Sequence, residues 1–261
     1  MAFGASTSSY WYLGHLGPVE ATRLNVQEVP VVGGDVRLEV YHDHIGVWSR
    51  PGPNQIRDLG DAQELIALVA GAYALITRIP LDFALDGWVE ATESDFKGTV
   101  MGVVPDTRGY KSPMLRPGAP RCRNMRRAAR LAAFTWRRPG YRLALRDLHA
   151  AFLDRADDSF VFAYRAIEDT VRAVSRRTGE FRPSDYGALA THIGMASASF
   201  EAYKAPLFKA RCAAAHGNET DPELVKARGN RDPLIQVART ITAKALAHES
   251  GSPLKLSHFS P

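Results

Sequence analysis

The chain has 261 residues, a formal net charge of +5, 45% hydrophobic residues and 23% charged ones, which excludes wholesale disorder and suits one large domain or two small ones. Its longest apolar run, the 12 residues Leu65 to Ile76, falls well short of the roughly 20 that span a bilayer, and MAFGASTSSYWY lacks the basic start and long apolar stretch of a signal peptide. Two cysteines, Cys122 and Cys212, make neither a disulfide framework nor a four-ligand zinc site, so the expectation is a cytoplasmic protein without membrane contact.

In chain order, Arg23 to Val29 and Asp35 to His42 alternate as strands, with Val36, Leu38 and Val40 on one face and Gly33-Gly34 as the turn. Asp61 is placed to cap a helix carrying Leu65, Leu68, Val69, Ala72 and Ile76, which ends before Pro80. Trp88 to Thr92 and Thr99 to Val104 read as two further strands, joined through Ser94-Asp95. Prolines and glycines then mix with arginines in a connector interrupted by one short helix, Asn124 to Phe134.

The remainder reads as helices: Tyr141 to Ala156, Asp157 through Arg177, Ser184 to Ile193, Ser197 to His216, a short segment capped by Thr220-Asp221-Pro222, and Pro233 to Ala247. Phe160, Tyr164, Ile167, Val171 and Val174 repeat at helical spacing and form one packing stripe. The predicted fold class is therefore an α+β N-terminal domain (residues 1–105), a basic Pro/Gly-containing connector (106–140) and an all-α bundle of four to five helices (141–261).

Charge is unevenly spread. Between Asp106 and Asp147 stand twelve basic residues and no acidic one, among them Arg121, Arg123, Arg126, Arg127 and Arg130, so the rest of the chain carries −7. A basic strip on an otherwise acidic molecule has two readings, a polyanion-binding surface or a solvated linker.

KARCAAAHGN, Lys209 to Asn218, poses a similar choice. Spacing alone does not distinguish Arg211 and His216, because Arg37 with His42 or His44, and Arg142 with His149, also fit an Arg-to-His pattern. Context adds more. Phe200, Tyr203, Leu207 and Ala214 are the expected buried stripe, with Arg211 at its edge and His216 in the last turn before Gly217, a natural C′ residue. The negative end of a helix favours a protonated histidine. The residues alone leave open a phosphate-handling pair or a C-capping histidine beside a snorkelling arginine.

Two blocks resemble the HEPN superfamily of small helical bundles found in prokaryotic toxins, antiviral effectors and CRISPR-associated nucleases. FVFAYRAIEDTVRAVSRRTG (Phe160 to Gly179) is similar to the family's second helix, with its aromatic-x-x-x-Glu pattern at Tyr164 and Glu168. FKARCAAAHGN (Phe208 to Asn218) is similar to its Arg-x4-6-His motif at the end of the third main helix, in the bacterial branch whose motif ends in His-Gly. The likeness covers roughly residues 142–248, and it departs at Cys212, where the family usually has Asn, Asp or His.

The resemblance implies a HEPN-like bundle acting as a metal-independent endoribonuclease, active as a homodimer, with RNA as substrate and no cofactor. It implies Arg211 and His216 as catalytic residues, with Glu168 orienting one of them. It further implies a toxin or antiviral defence setting, with an antitoxin or other defence partner protein, and an N-terminal domain acting as sensor or specificity element. An inactive HEPN-like RNA-binding or accessory protein is the alternative.

Other candidates are weaker. His42 and His44 in YHDHIGVW are placed on one face of a strand, as metal ligands can be, but no third ligand is evident and no metal is expected. Tyr10, Trp11, Tyr12 and Trp48 are either core aromatics or stacking platforms for bases.

Overall fold

A computed structural model describes residues 8–17, 24–32, 35–42, 44–92, 96–100, 120–154, 156–176, 182–217, 219–251 and 254. Two compact units are present, one of Met1–Tyr73 with Leu81–Trp136 and one of Ala74–Pro80 with Arg137–Pro261. Residues 101–119, which hold the end of the expected strand Thr99 to Val104 and the first part of the expected connector, lie outside the described set.

The first unit is built on six strands, β1 (Ser9–Gly17), β2 (Leu24–Val32), β3 (Val36–His42), β4 (His44–Ser49), β5 (Asp82–Ala91) and β6 (Phe96–Val100). They form one antiparallel sheet in the order β2-β3-β4-β1-β5-β6. Tyr12, Val36, Leu38, Ile45 and Val47 are buried, as strict alternation on one face of a sheet requires. Helix α1 (Leu59–Thr77) is capped by Asp58, which accepts from the Asp61 N–H at 2.8 Å, so the cap lies three residues before the Asp61 expected. By length and composition α1 is long and apolar enough to cross a membrane, and 67% of that stretch is buried within the protein.

Two strands were not foreseen. In β1 two glycines and a histidine interrupt the apolar pattern, while β4 follows β3 after Asp43 alone and reads as its continuation. Tyr41 pairs with His44 across that tight hairpin, so His42 and His44 lie on different strands and not on one face of a single strand. Gly14 sits where the β1–β5 register shifts, and a Cβ there would lie 2.1 Å from the Ala84 carbonyl oxygen. Only glycine fits that approach.

Among the described residues seven helices, not four to five, follow the sheet. The expected short helix of the connector is the longer α2 (Pro120–Thr135), which belongs to the first unit. The second unit holds α3 (Pro139–Leu153), α4 (Asp158–Ser175), α5 (Pro183–His192), α6 (Ser197–Ala215), α7 (Pro222–Gly229) and α8 (Arg231–Ser250). Asp221 caps α7 by accepting from the Glu223 N–H at 2.8 Å, and the short segment expected after Thr220-Asp221-Pro222 is a helix of 8 residues. Helix α4 packs against α3, α5, α6 and α8.

Also within the second unit, Arg239 of α8 is fully buried and donates to the carbonyls of Leu75 (2.5 Å) and Ile76 (2.9 Å) and to Gln236 Oε1 (3.1 Å). Those carbonyls end α1, where the last turn lacks intrahelical donors and carries partial negative charge. Burial lowers the guanidinium pKa to about 10, with Arg78 adding to the effect, so the group stays charged at neutral pH. Arg239→Met keeps most of the volume but strands these carbonyls in the interior, and should cost about 2–4 kcal/mol in chemical denaturation. A loss below 0.5 kcal/mol would show that the carbonyls find other partners.

Asp147 of α3 and Asp169 of α4 form a second buried polar group, flanked by Arg165 Nε at 3.0 Å from Asp147 and Arg172 Nη1 at 2.6 Å from Asp169. Burial pushes the Asp147 carboxyl above its ordinary 3.8; Arg165 opposes this and Asp169 adds to it. A carboxyl raised on folding contributes stability that is fully present below its ordinary pKa and is lost as pH rises through the raised value. Asp147→Asn should therefore gain in Tm relative to the parent at about pH 7 and not at about pH 4. A Tm difference that is the same at both pH values would contradict the raised pKa.

Candidate functional site

The residues singled out by the sequence meet mainly on α4 and α6. Five α6 side chains are buried: Phe200, Lys204, Leu207, Ala210 and Ala213. The expected stripe is thus displaced, because Tyr203 is exposed, Ala214 is half-buried and Lys204 points inward at 8% exposure. Lys204 tolerates this position through its ion pair with Glu201 (2.6 Å) and two aromatic rings, Tyr186 at 4.6 Å and Phe208 at 5.9 Å from its ammonium. Neither Lys204 nor Tyr186 was marked by the sequence, since a lysine beside a tyrosine on a helix reads as the solvent residue of the pair.

Arg211 lies half-buried on the α4 side of α6, its guanidinium carbon 5.9 Å from the centre of the Tyr164 ring. Tyr164 also packs against Phe208 with ring centres 5.3 Å apart, and its hydroxyl is 3.5 Å from that of Tyr186 on α5. Burial, the contact with Tyr186 and the nearby carboxylates hold the Tyr164 hydroxyl in its neutral form.

Glu168, one turn after Tyr164, is half-buried as well. Burial raises its carboxyl pKa, and Arg211 is the strongest of the charges that oppose the rise. Arg211 and Glu168 are therefore electrostatic neighbours across the α4–α6 contact.

His216 stands apart from this group. It is the exposed C-cap of α6, its N–H donating to the Cys212 carbonyl at 3.2 Å. Gly217 takes the left-handed C′ position at φ +65° and donates to Ala214. At 100° per residue, five steps set Arg211 and His216 about 140° apart around the helix. The chain thus holds the arginine half-buried and the histidine in solvent.

Between them runs an outward strip of Ala205, Phe208, Cys212 and Ala215, spaced three or four residues apart. Phe208 is 43% exposed and Cys212 is a half-exposed free thiol. Ala213, beside this strip, is buried.

The basic strip divides between structural settings. Arg123, Arg126, Arg127 and Arg130 share one face of α2, the first two and Arg130 exposed and Arg127 half-buried. Met125, Ala128, Ala129 and Ala132 fill the opposite face. The side chain of Arg121 lies outside the described residues.

In the same unit, the sheet face opposite the buried residues carries a cross-strand row of Arg37, Trp48, Trp11 and Val89. Trp48 lies under Arg50 (4.1 Å) and Arg37 (5.7 Å), and Trp11 is 44% exposed, whereas Tyr12 belongs to the core. Among the described residues no group of three or more His, Cys, Asp or Glu side chains is arranged to hold a metal. No family model, curated protein or solved structure matches the chain.

Proposed function

We propose that the protein is a HEPN-like, metal-independent endoribonuclease that works as a homodimer in the cytoplasm, in a toxin or antiviral defence setting. The observation that carries the reading is one helix with two polar ends of different exposure. Arg211 is held half-buried against Tyr164 and beside Glu168, while His216 reaches solvent one turn later. A second copy meeting the first along Phe208, Cys212 and Ala215 would bring two such helix ends to one phosphate.

The chemistry follows from the groups. The His216 imidazole takes the proton of a ribose 2′-hydroxyl, whose oxygen attacks the adjacent phosphorus. The P–O5′ bond breaks, and the partner's His216 protonates the leaving oxygen. Arg211 clamps the phosphate oxygens through paired N–H donors and offsets their growing negative charge. Glu168 fixes the direction of that guanidinium. The products are a 2′,3′-cyclic phosphate and a 5′-hydroxyl.

Incubation with mixed RNA and chelator tests this directly. His216→Ala should lose roughly 10²–10⁴-fold in rate with the fold intact, and Arg211→Lys should fail because a point charge does not reproduce the planar two-donor clamp. Phe208→Glu should turn a dimer into a monomer by light scattering and lose activity with both site residues present. Cleavage that persists in His216→Ala, or that stops with chelation, would overturn the mechanism. RNA binding without cleavage by the parent chain would assign the inactive scaffold, the reading that Cys212 favours because a thiol is a poor hydrogen bonder.

The N-terminal unit supports RNA recognition through the α2 arginines and the Trp11–Trp48 row, which suit phosphates and unstacked bases respectively. Changing Arg123, Arg126, Arg127 and Arg130 to Glu should weaken binding to all RNA sequences. It should also reduce the slope of log K against log salt by up to about 3, at roughly 0.7 per phosphate contact on a single strand. Unchanged affinity and slope would leave α2 as a solvated helix.

A further inference from the structure

The second unit contains a cavity of about 860 Å³ beside the start of α3, within the ~300–1,000 Å³ range of small-molecule sites. Most of the charge around it is already matched. Arg172 is paired with Asp169, and Arg137 and Arg138 have interactions of their own within the chain. Two charged side chains of the lining remain, Arg176 and Glu249. Neither makes a hydrogen bond or ion pair with another described residue, so they do not neutralise each other.

A third polar group is open as well. Tyr141 lines the cavity at 2% exposure, and its buried hydroxyl has no hydrogen-bond partner among the described residues. Burial and the nearby Glu249 carboxylate keep that hydroxyl protonated, so it is a donor in need of an acceptor. Arg176 is the left-handed C-cap of α4 at φ +53°, a place that favours glycine, so the arginine stands there against the local backbone preference.

The rest of the lining is largely apolar, from the Tyr141 ring, Pro139, Leu143 and Ala173. One unpaired cation, one unpaired anion and a buried donor do not suit a polyanion, whose charge would meet Glu249 without compensation. They suit a ligand with one charge of each sign. We infer that this cavity binds a zwitterion with an apolar body, a free amino acid or a short peptide. Arg176 clamps its carboxylate through paired N–H donors, and the Tyr141 hydroxyl donates to the same group. Glu249 accepts from its ammonium, and its apolar side chain lies against Leu143 and Ala173.

The site shares no residue with Arg211 and His216 and does not depend on RNA cleavage. Calorimetric titration of the full chain with phenylalanine, leucine and the dipeptide leucyl-phenylalanine tests the assignment, beside the N-acetylated and C-amidated forms of each. At least one zwitterion should bind saturably. Removing either of its charges should weaken binding roughly tenfold or more, as the loss of a charge-assisted hydrogen bond does. Binding of the free amino acids identifies a small-molecule site, and binding of the dipeptide alone identifies a peptide site.

Two variants assign the ends of the ligand. In Glu249→Gln the acetylated and free-amine forms should bind alike, and in Arg176→Gly the amidated and free-acid forms should bind alike. Both side chains are exposed and the glycine relieves the backbone, so a retained melting transition separates lost binding from lost fold. Tyr141→Phe should weaken binding several-fold without lowering the melting temperature of the free protein. His216→Ala should bind as the parent does, whatever becomes of RNA cleavage. No binding at millimolar concentration, derivatives that bind as tightly as the zwitterions, or unchanged selectivity in the two variants would overturn the inference.

Discussion

Helix α4 is packed by α3, α5, α6 and α8, which bury Ser159, Asp169 and Thr170 together with most of its apolar stripe. Its polar side chains must therefore be satisfied inside the bundle, and each solution ties α4 to a different neighbour. Thr170 Oγ1 donates to the Ala166 carbonyl at 2.7 Å and lies 3.1 Å from Thr242 Oγ1 on α8. Asp169 meets Arg172 and the buried Asp147 of α3. Tyr164 reaches Tyr186 on α5, and Glu168 faces Arg211 on α6. Arg211 is thus positioned by the need to place a half-buried carboxylate near positive charge.

The same helix marks the limit of what the sequence made legible. The 4, 3, 4, 3 spacing of Phe160, Tyr164, Ile167, Val171 and Val174 announced a packed stripe, and the first four are buried. The stripe does not reveal how many partners surround it. Small residues such as Ala163 and Ala166 are buried too, and alanine carries no periodic signal that separates core from surface. Asp221-Pro222 and Gly217 were readable because capping is local chemistry, needing only the residues at the helix end.

Failures of reading came where pairing is non-local or where a polar residue is buried. Lys204 is inside because Glu201, Tyr186 and Phe208 receive it, and one of those lies on another helix. Strand β1 is the partner of both β4 and β5, so its glycines are tolerated by the pairing on each side and not by its own propensity. Arg239 belongs to the same class: its two backbone acceptors, the Leu75 and Ile76 carbonyls, lie more than 160 residues away in the chain, beyond any pattern within α8.

The arginine-rich strip is one feature of the sequence and several of the structure. Arg123, Arg126, Arg127 and Arg130 stack on one face of α2 with an alanine-rich face behind them. Arg137 and Arg138 enter a cavity in the second unit, and Arg146 lies 3.8 Å from the buried Asp147. A plain solvated linker would need none of these placements, since its charges would serve only to keep the chain in water. Helical periodicity segregates the first set, a proline-initiated helix start gathers the second, and a buried carboxylate holds the third. No acidic residue stands between Asp106 and Asp147, so any carboxylate that these arginines meet comes from outside the strip.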